Sequence, residues 1–365
     1  MRIVIPIFGF ARAGGFRVIS HLATEWTRSG HEVVIACHDS SGPCYYPTEA
    51  KIIWYDDHGN VVDADRDRPD EFSMLRASIG MSRLLKTKFV EFDIILATHS
   101  MTAWPIAMTF MPARKYYYVQ AFEPEYYMPR RSLKQFILFV LAYCSYWLPL
   151  RRIVNSETYR RYRNLRSSDV VPPGLDLNVF APRPRESVHE FSVGFISRVE
   201  PSKGTRYAVE AIRRLRRQGT SFRCRAALGY GLSPEQIAEL GIEVVEIASD
   251  VELAAFYRSL DVLLAPGIDQ IGAPHYPVME AMASGVAVVS TGHAPADEGN
   301  AWIVPVRDAD ALVQAVLTIH AQPERAREKA QRGLIDIASY DWVSIADRFL
   351  RRFTVQADRK AVTRA

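Results

Sequence analysis

The chain has little of what announces a metal, a disulfide scaffold or a nucleic-acid reader. Its 365 residues include four cysteines (Cys37, Cys44, Cys144 and Cys224), with no C-x-x-C pair and no zinc-like spacing. That argues against a disulfide framework and the common structural zinc modules. Cys37 and Cys44 could bridge a short loop, but reduced thiols in a cytosolic protein are the simpler expectation. There are no tandem repeats. The opening M-R-I-V-I-P is too short an apolar run for a signal peptide and reads as a strand. Neither charge sign dominates: the net charge is +4, the charged share 24% and the hydrophobic share 48%. These values fit an ordinary globular protein and exclude disordered or collagen-like chains. The length suits two domains better than one core.

What charge bias there is, is local. Arg114 to Arg166 holds eleven Lys or Arg against three acids, Glu123, Glu125 and Glu157. This segment brackets Phe136 to Leu150, fifteen uncharged residues with Arg130, Arg131 and Lys134 before and Arg151 and Arg152 after. Fifteen falls short of the roughly twenty needed to span a bilayer. Two readings follow: a core helix with a basic surround, or a patch where aromatic and cationic side chains meet an anionic membrane surface. They are compatible if one face of the helix is exposed. No stacking-and-basic module accompanies the charge, so nucleic acid is not an expected partner. The expected location is cytoplasmic, peripheral on the inner face of the cell membrane if the patch is used.

Strands and helices alternate throughout, which predicts α/β domains with parallel sheets. In the first half, Arg2 to Pro6, Glu32 to Cys37, Asp93 to Thr98, Lys115 to Gln120 and Arg152 to Ser156 read as strands. A helix carrying Val18, Ile19, Leu22, Ala23 and Trp26 on one side follows the first strand and closes at Gly30. After the Pro- and Gly-rich stretch Val170 to Pro184 a second set begins: Val193 to Ser197, Cys224 to Leu228, Val244 to Ile247, Val262 to Ala265, Val286 to Ser290 and Trp302 to Val306. Ser249 and Glu252 have capping-box spacing. Asp56 to Glu71 reads as an acid-rich surface loop.

The densest signal is Ala265 to Ser290. An apolar strand breaks at Pro266, an irregular loop follows, Pro277 opens a short helix and Gly285 ends it before the next strand. Glu280 lies within a turn of that helix start, near backbone N–H groups able to meet a ligand. Upstream, V-G-F-I-S-R (Val193 to Arg198) ends a buried strand and Lys203 begins an amphipathic helix with Tyr207, Ala208, Ala211, Ile212 and Leu215 on one stripe. Arg198 and Lys203 can therefore point into one crevice, where two cations suit a phosphate. Singly, each also reads as a solvated surface cation. Gly14 and Gly15, in the first strand-to-helix loop, offer N–H groups to a phosphate or sugar. His99 follows a strand end and is an ordinary structural histidine unless a partner makes it more. Two D-x-D triplets, Asp63–Asp65 and Asp308–Asp310, lack the context of a metal site. The first reads as solvated and the second as a helix cap.

P-V-M-E-A-M-A-S-G-V-A-V-V-S (Pro277 to Ser290) resembles the donor-sugar segment of GT-B glycosyltransferases of family 4, and V-G-F-I-S-R with the following P-S-K-G is similar to a second block of that family. The likeness extends over most of the second half, including Glu298 to Pro305, Asp308 to Leu312 and Tyr340 to Trp342. It implies a GT-B fold: two Rossmann-like, doubly wound parallel-sheet domains facing a central cleft. The implied boundaries are an acceptor-binding domain over 1–173, a linker over 174–190, a nucleotide-sugar domain over 191–345, and over 346–365 a helix returning to the first domain plus a frayed tail. By the resemblance Glu280 grips the ribose hydroxyls, Arg198 and Lys203 contact the diphosphate, and Gly14, Gly15, His275, Tyr276, Val278 and Met279 border the donor. The family's second Glu, eight positions before Glu280, is replaced by Gly272, so His275 or Tyr276 would take over its polar contacts. Val119 to Tyr127 (V-Q-A-F-E-P-E-Y-Y) resembles a segment of surface-polysaccharide rhamnosyltransferases, with Ala121 in place of an aspartate. It offers Gln120 and Glu123, together with His99, as acceptor contacts, and Tyr126 and Tyr127 as stacking rings; a turn set by Pro124 is the plainer alternative. The implied activity is retaining, metal-independent transfer of a hexose or 6-deoxyhexose from a nucleoside-diphosphate sugar to a glycan or lipid-linked acceptor, with no cofactor. The rivals are a non-catalytic glycan- or nucleotide-sugar-binding paralogue and a sugar-nucleotide epimerase.

Overall fold

The computed structural model describes residues 1–11, 13–63, 71–129, 132–184, 190–269 and 273–362, with side chains through 354. The chain divides into two compact units, Met1–Gly174 with Trp342–Ala365, and Leu175–Asp341.

In the first unit the order is β1 (Arg2–Ile7), α1 (Gly14–Arg28), β2 (Glu32–His38), β3 (Lys51–Tyr55), β4 (Val61–Val62), α2 (Met74–Lys88), β5 (Ile94–Ala97), α3 (Ser100–Met108), β6 (Arg114–Val119), α4 (Leu133–Ser145), β7 (Arg151–Val154) and β8 (Asp169–Val170). The strands lie as β4-β3-β2-β1-β5-β6-β7-β8, parallel except for the β3–β4 pair. Ile3, Ile5, Val33, Ile35, Ile94 and Leu96 bury one face of this sheet against Val18, Ile19, Leu22 and Trp26 of α1. Covered on both faces, such strands read as continuous apolar runs, which is why they were legible.

The second unit runs β9 (Ser192–Ile196), α5 (Thr205–Arg217), β10 (Arg223–Ala227), α6 (Pro234–Leu240), β11 (Ile242–Val245), α7 (Asp250–Arg258), β12 (Val262–Ala265), α8 (Tyr276–Ala283), β13 (Ala287–Ser290), β14 (Trp302–Ile303), α9 (Ala309–Ala321) and α10 (Pro323–Ile337). Its six strands are all parallel in the order β11-β10-β9-β12-β13-β14. The last helix, α11 (Trp342–Val362), packs in the first unit, with Phe349 and Phe353 against Trp26 and the Trp26 indole N–H donating to the Ala346 carbonyl at 3.0 Å. Leu175 and Phe180, in the stretch read as a linker, are fully buried in the second unit's core.

Numbered within each unit, the central six strands of both sheets follow the order 3-2-1-4-5-6, which reverses direction between β1 and β5 and again between β9 and β12. Ligands of open α/β sheets bind outside the carboxyl ends of the strands at that reversal. The fold therefore nominates the loops after β1 and β5 in one unit and after β9 and β12 in the other.

Several local expectations shift. β9 stops at Ile196, two residues before Arg198, and Lys203 closes a 3₁₀ turn (Pro201–Lys203) rather than opening α5. Gly14 and Gly15 are the first two residues of α1, not loop residues. The surface loop expected over Asp56 to Glu71 contains β4, paired antiparallel to β3; residues 64–70 lie outside the described residues. The run Phe136 to Leu150 is helical only to Ser145 and is exposed on one side: Ala142 and Ser145 of α4 are buried, as are Tyr146 and Leu150 after it. No described helix is long and apolar enough to cross a membrane, and all four cysteines are free.

Candidate functional site

The second unit's reversal point is built from three loops tied by hydrogen bonds. After β9, the Arg198 N–H donates to Thr205 Oγ1 at 2.9 Å, and that hydroxyl donates back to the Arg198 carbonyl at 2.8 Å. After β12, the N–H of Ile268 reaches the Ser202 carbonyl at 2.7 Å. After β13, Thr291 and His293 both donate to the Gly267 carbonyl, the His293 Nε2–H at 3.0 Å. Gly204 sits at the junction with φ +77°, and a Cβ there would lie 2.0 Å from the Pro266 carbonyl oxygen. Only glycine allows that approach.

This frame brings Arg198, Lys203, Asp269, His275 and His293 together. The Arg198 guanidinium is 3.4 Å from the Glu200 carboxylate and half exposed. Burial lowers the Lys203 pKa, and the Arg198 charge lowers it further, against smaller opposing pulls from Glu200 and Asp269. Two neighbouring cations, one of them partly buried, repel each other, and an anion between them would relieve that repulsion. His275 is 8% exposed, its N–H tied to the Ala294 carbonyl at 2.8 Å, and its buried Nδ1 has no hydrogen-bond partner among the described residues. Its ring lies 5.9 Å from that of His293, edge to face. Burial, then His293 and Lys203, push its pKa down to about 3, so the imidazole stays neutral beside the lysine.

That depression has a measurable consequence. An unfolded histidine takes up its proton near 6.5, whereas folded His275 refuses it down to about 3. The unfolded state therefore binds more protons across this window, and stability falls as pH drops through it, by about 1.4 kcal/mol per unit. His293, also lowered by burial, acts in the same direction. Urea midpoints measured from pH 7 downward should fall more steeply in the wild type than in His275→Asn.

Glu280 is the fifth residue of α8 rather than a group at its tip. It is 3% exposed, and Tyr257 Oη donates to its Oε2 at 2.8 Å. A ribose hydroxyl reaching this carboxylate would share it with Tyr257. Val278 and Met279, expected at the donor, are fully buried in the core beside Ala281 and Met282, and their N–H groups bond to the His275 carbonyl. Tyr276 opens α8 half-buried, and Gly272 lies outside the described residues. His293 escaped the sequence reading although it follows a legible strand, because a lone histidine after T-G carries no motif. Its signal was positional: it lies three residues beyond β13, beside the reversal point. Asp308 caps α9, accepting from the Ala311 N–H at 2.9 Å, as expected of the second D-x-D; of the first, Asp65 lies outside the described residues.

In the first unit, Gly14 and Gly15 begin α1 with no side-chain cap among the described residues, which leaves first-turn N–H groups able to meet a ligand. The Gln120 amide lies 3.3 Å from where a Gly15 Cβ would be. The structure thus joins Gly15 and Gln120 across the ends of β1 and β6. Glu123 is turned into its own unit. It is 3% exposed and accepts from the Ser100 N–H (2.7 Å) and the Tyr117 hydroxyl (2.7 Å), with His99 Nε2 at 3.3 Å. Burial, then Glu123, hold the Tyr117 hydroxyl well above its ordinary pKa, so it remains a donor. His99 Nδ1 accepts the Met101 N–H at 3.1 Å as the cap of α3, which places the proton on Nε2, toward Glu123. His99 is the half-exposed member of the pair. Glu123→Gln should cost about 2 kcal/mol of stability in urea unfolding, by placing an amide N–H₂ among donors. A substrate-facing carboxylate would show no such cost.

Residues 190–322 match the family described as glycosyl transferases group 1. Among curated proteins, WcaL of Escherichia coli (strain K12), named for glycosyl transfer in colanic acid biosynthesis, is 34% identical over 186 residues, covering 43% of this chain and 45% of WcaL. The chain spans about half the length of the curated relatives it matches. Among solved structures, a sucrose-phosphate synthase from Thermosynechococcus elongatus superposes with TM-score 0.73 at 16% identity, covering 100% of both chains. The Anabaena protein HepE, solved in complex with UDP, gives 0.71 at 15%, covering 97% of this chain and 100% of HepE. Two parallel-sheet α/β units with these neighbours make the fold GT-B.

Proposed function

We propose that the protein transfers a hexose or 6-deoxyhexose from a nucleoside-diphosphate sugar to a hydroxyl of a glycan or lipid-linked acceptor, in the synthesis of a surface polysaccharide or glycoconjugate. The observation that carries this is the pairing of Arg198 with a pKa-depressed Lys203 at the reversal point of a 3-2-1-4-5-6 sheet, the position an open α/β sheet gives to a ligand. Breaking the sugar–phosphate bond builds negative charge on the leaving diphosphate, and the two cations are positioned to stabilise it. Glu280 orients the ribose, with Tyr257 holding its carboxylate. Transfer proceeds with retention: the acceptor oxygen attacks from the leaving-group face as the sugar–phosphate bond breaks, and the departing phosphate oxygen takes the acceptor's proton. The reaction requires no metal and no cofactor. WcaL and the bound UDP of HepE support the polysaccharide context and the donor class.

His99, poised by Glu123, and Gln120 beside Gly15 belong to the acceptor half of this reading. The location is the cytoplasm, with the basic segment 114–166 on the inner membrane surface. Release of nucleoside diphosphate from a matched donor, with chelator present, tests the reading. Turnover that vanishes in Lys203→Ala supports it, and none with any donor and acceptor refutes it. Gly272, in place of an acid, favours one second reading, a nucleotide-sugar-binding protein without turnover. Donor binding with no release would select it.

A further inference from the structure

The helix α4 turns its apolar side outward. At about 100° per residue, Leu133, Phe136, Ile137, Val140 and Tyr143 fall within an arc of roughly 120°, and Ala142 and Ser145, its buried residues, lie opposite. All five outward side chains are exposed, from 37% for Tyr143 to 74% for Leu133, and Trp147 extends the stripe at 57%. The Tyr143 and Trp147 rings meet edge to face at 5.0 Å. The opposite side is anchored, since the Trp104 indole N–H donates to the Leu141 carbonyl at 3.1 Å. The turn before α4 adds exposed Tyr126 and Met128. Single exposed apolar residues are ordinary, but a continuous stripe of this size marks an interaction surface.

Charge selects the partner. From Tyr126 to Ser156 the sequence has no Asp or Glu, and Lys134 stands exposed in the first turn of α4. Arg151 and Arg152 are used in the fold, reaching the Tyr116 hydroxyl and the Leu148 and Leu150 carbonyls, which leaves Lys134 as the exposed cation of α4, with no acid nearby in sequence to repel an anionic surface. Thirteen helical residues, about 20 Å, are too few to span a bilayer but long enough to lie along its surface.

We propose that α4 is an in-plane membrane anchor. Phe136, Ile137 and Val140 insert below the headgroups of an anionic bilayer, Tyr143 and Trp147 lie at the headgroup level, and Lys134 contacts lipid phosphates. This deepens the membrane placement proposed above and rests on it. It also assigns the main attraction to apolar insertion rather than to the basic segment as a whole.

The full-length protein should co-sediment with phosphatidylcholine–phosphatidylglycerol vesicles, and more weakly with phosphatidylcholine alone. Phe136→Ser/Ile137→Ser should lower vesicle affinity about 100-fold, since each lost side chain removes roughly a factor of ten. Its unfolding midpoint and donor binding should be unchanged, because both side chains already face solvent. Residual binding of the wild type at high salt would mark insertion; complete loss at high salt would leave only an electrostatic contact and overturn the proposal. No vesicle binding by the wild type also overturns it, as does a double variant that binds equally well. So does a dimer in solution that the double variant dissociates, which would make a second copy the occupant. Donor binding is measured on the same samples, so vesicle binding without any donor binding would refute the glycosyltransfer reading and leave the anchor standing.

Discussion

Lys203→Ala should abolish stabilisation by a nucleoside-diphosphate sugar while leaving the ligand-free protein at least as stable as the wild type. The two halves of this expectation share one cause. Burial and the neighbouring Arg198 disfavour the charged lysine and together outweigh the attraction of Glu200 and Asp269, so losing that charge does not destabilise the ligand-free protein. When a diphosphate arrives, the same cation becomes a charge-assisted donor in a desolvated pocket, where such contacts are about twice as strong as neutral ones. Loss of one fixed donor to developing charge typically costs about 10²–10³ in turnover. Thermal unfolding with and without donor, alongside turnover, checks both halves. A lysine that merely decorated the surface would leave the donor shift intact.

Gly204→Ala should be the most damaging small substitution in the second unit. At φ +77° an added Cβ is strained, and here it would also stand 2.0 Å from the Pro266 carbonyl oxygen. The two loops can accommodate it only by separating, which breaks the bond from the Ile268 N–H to the Ser202 carbonyl. The expected cost is about 3 kcal/mol of stability. Misplacing Arg198 relative to Asp269 and His275 by an ångström adds about a 100-fold loss of turnover. Gly219 supplies the control: its φ is +75° but nothing lies within 4 Å of its Cβ position. Gly219→Ala should therefore cost only about 1 kcal/mol, with turnover unchanged. Equal effects at the two positions would contradict the close approach seen at Gly204.

The sequence carried the fold further than the site. Both sheets were legible because strands buried on two faces are apolar at every position, as in Val193 to Ile196 and Val262 to Ala265. The pieces it missed, Lys51–Tyr55, Val61–Val62 and Asp169–Val170, are edge strands or next to an edge and mix exposed with half-buried positions, so periodicity is weak there. Spacing brought Arg198 and Lys203 to one place, and the structure does set them side by side; the part given to Glu280 came from the resemblance alone. What spacing could not reveal is direction. Glu280 is buried against Tyr257, Val278 and Met279 point into the core, and Glu123 serves its own unit's donors while His99 takes the exposed place. His293 joins the site through a carbonyl on another loop, a tertiary contact invisible along the chain. For α4 composition left two readings open, a core helix and an exposed patch, and the structure shows the case in which both hold: one side is buried and the other exposed.

On the reading proposed above, the reversal point of the second unit holds a nucleoside diphosphate. Calorimetric titration of the full-length protein with UDP, GDP, dTDP and ADP, in chelator, tests it most directly. The account predicts one-to-one binding of one of these, with the heat lost in Lys203→Ala and Gly204→Ala and retained in Gly219→Ala. Absence of binding by all four, or binding indifferent to Lys203, would contradict it.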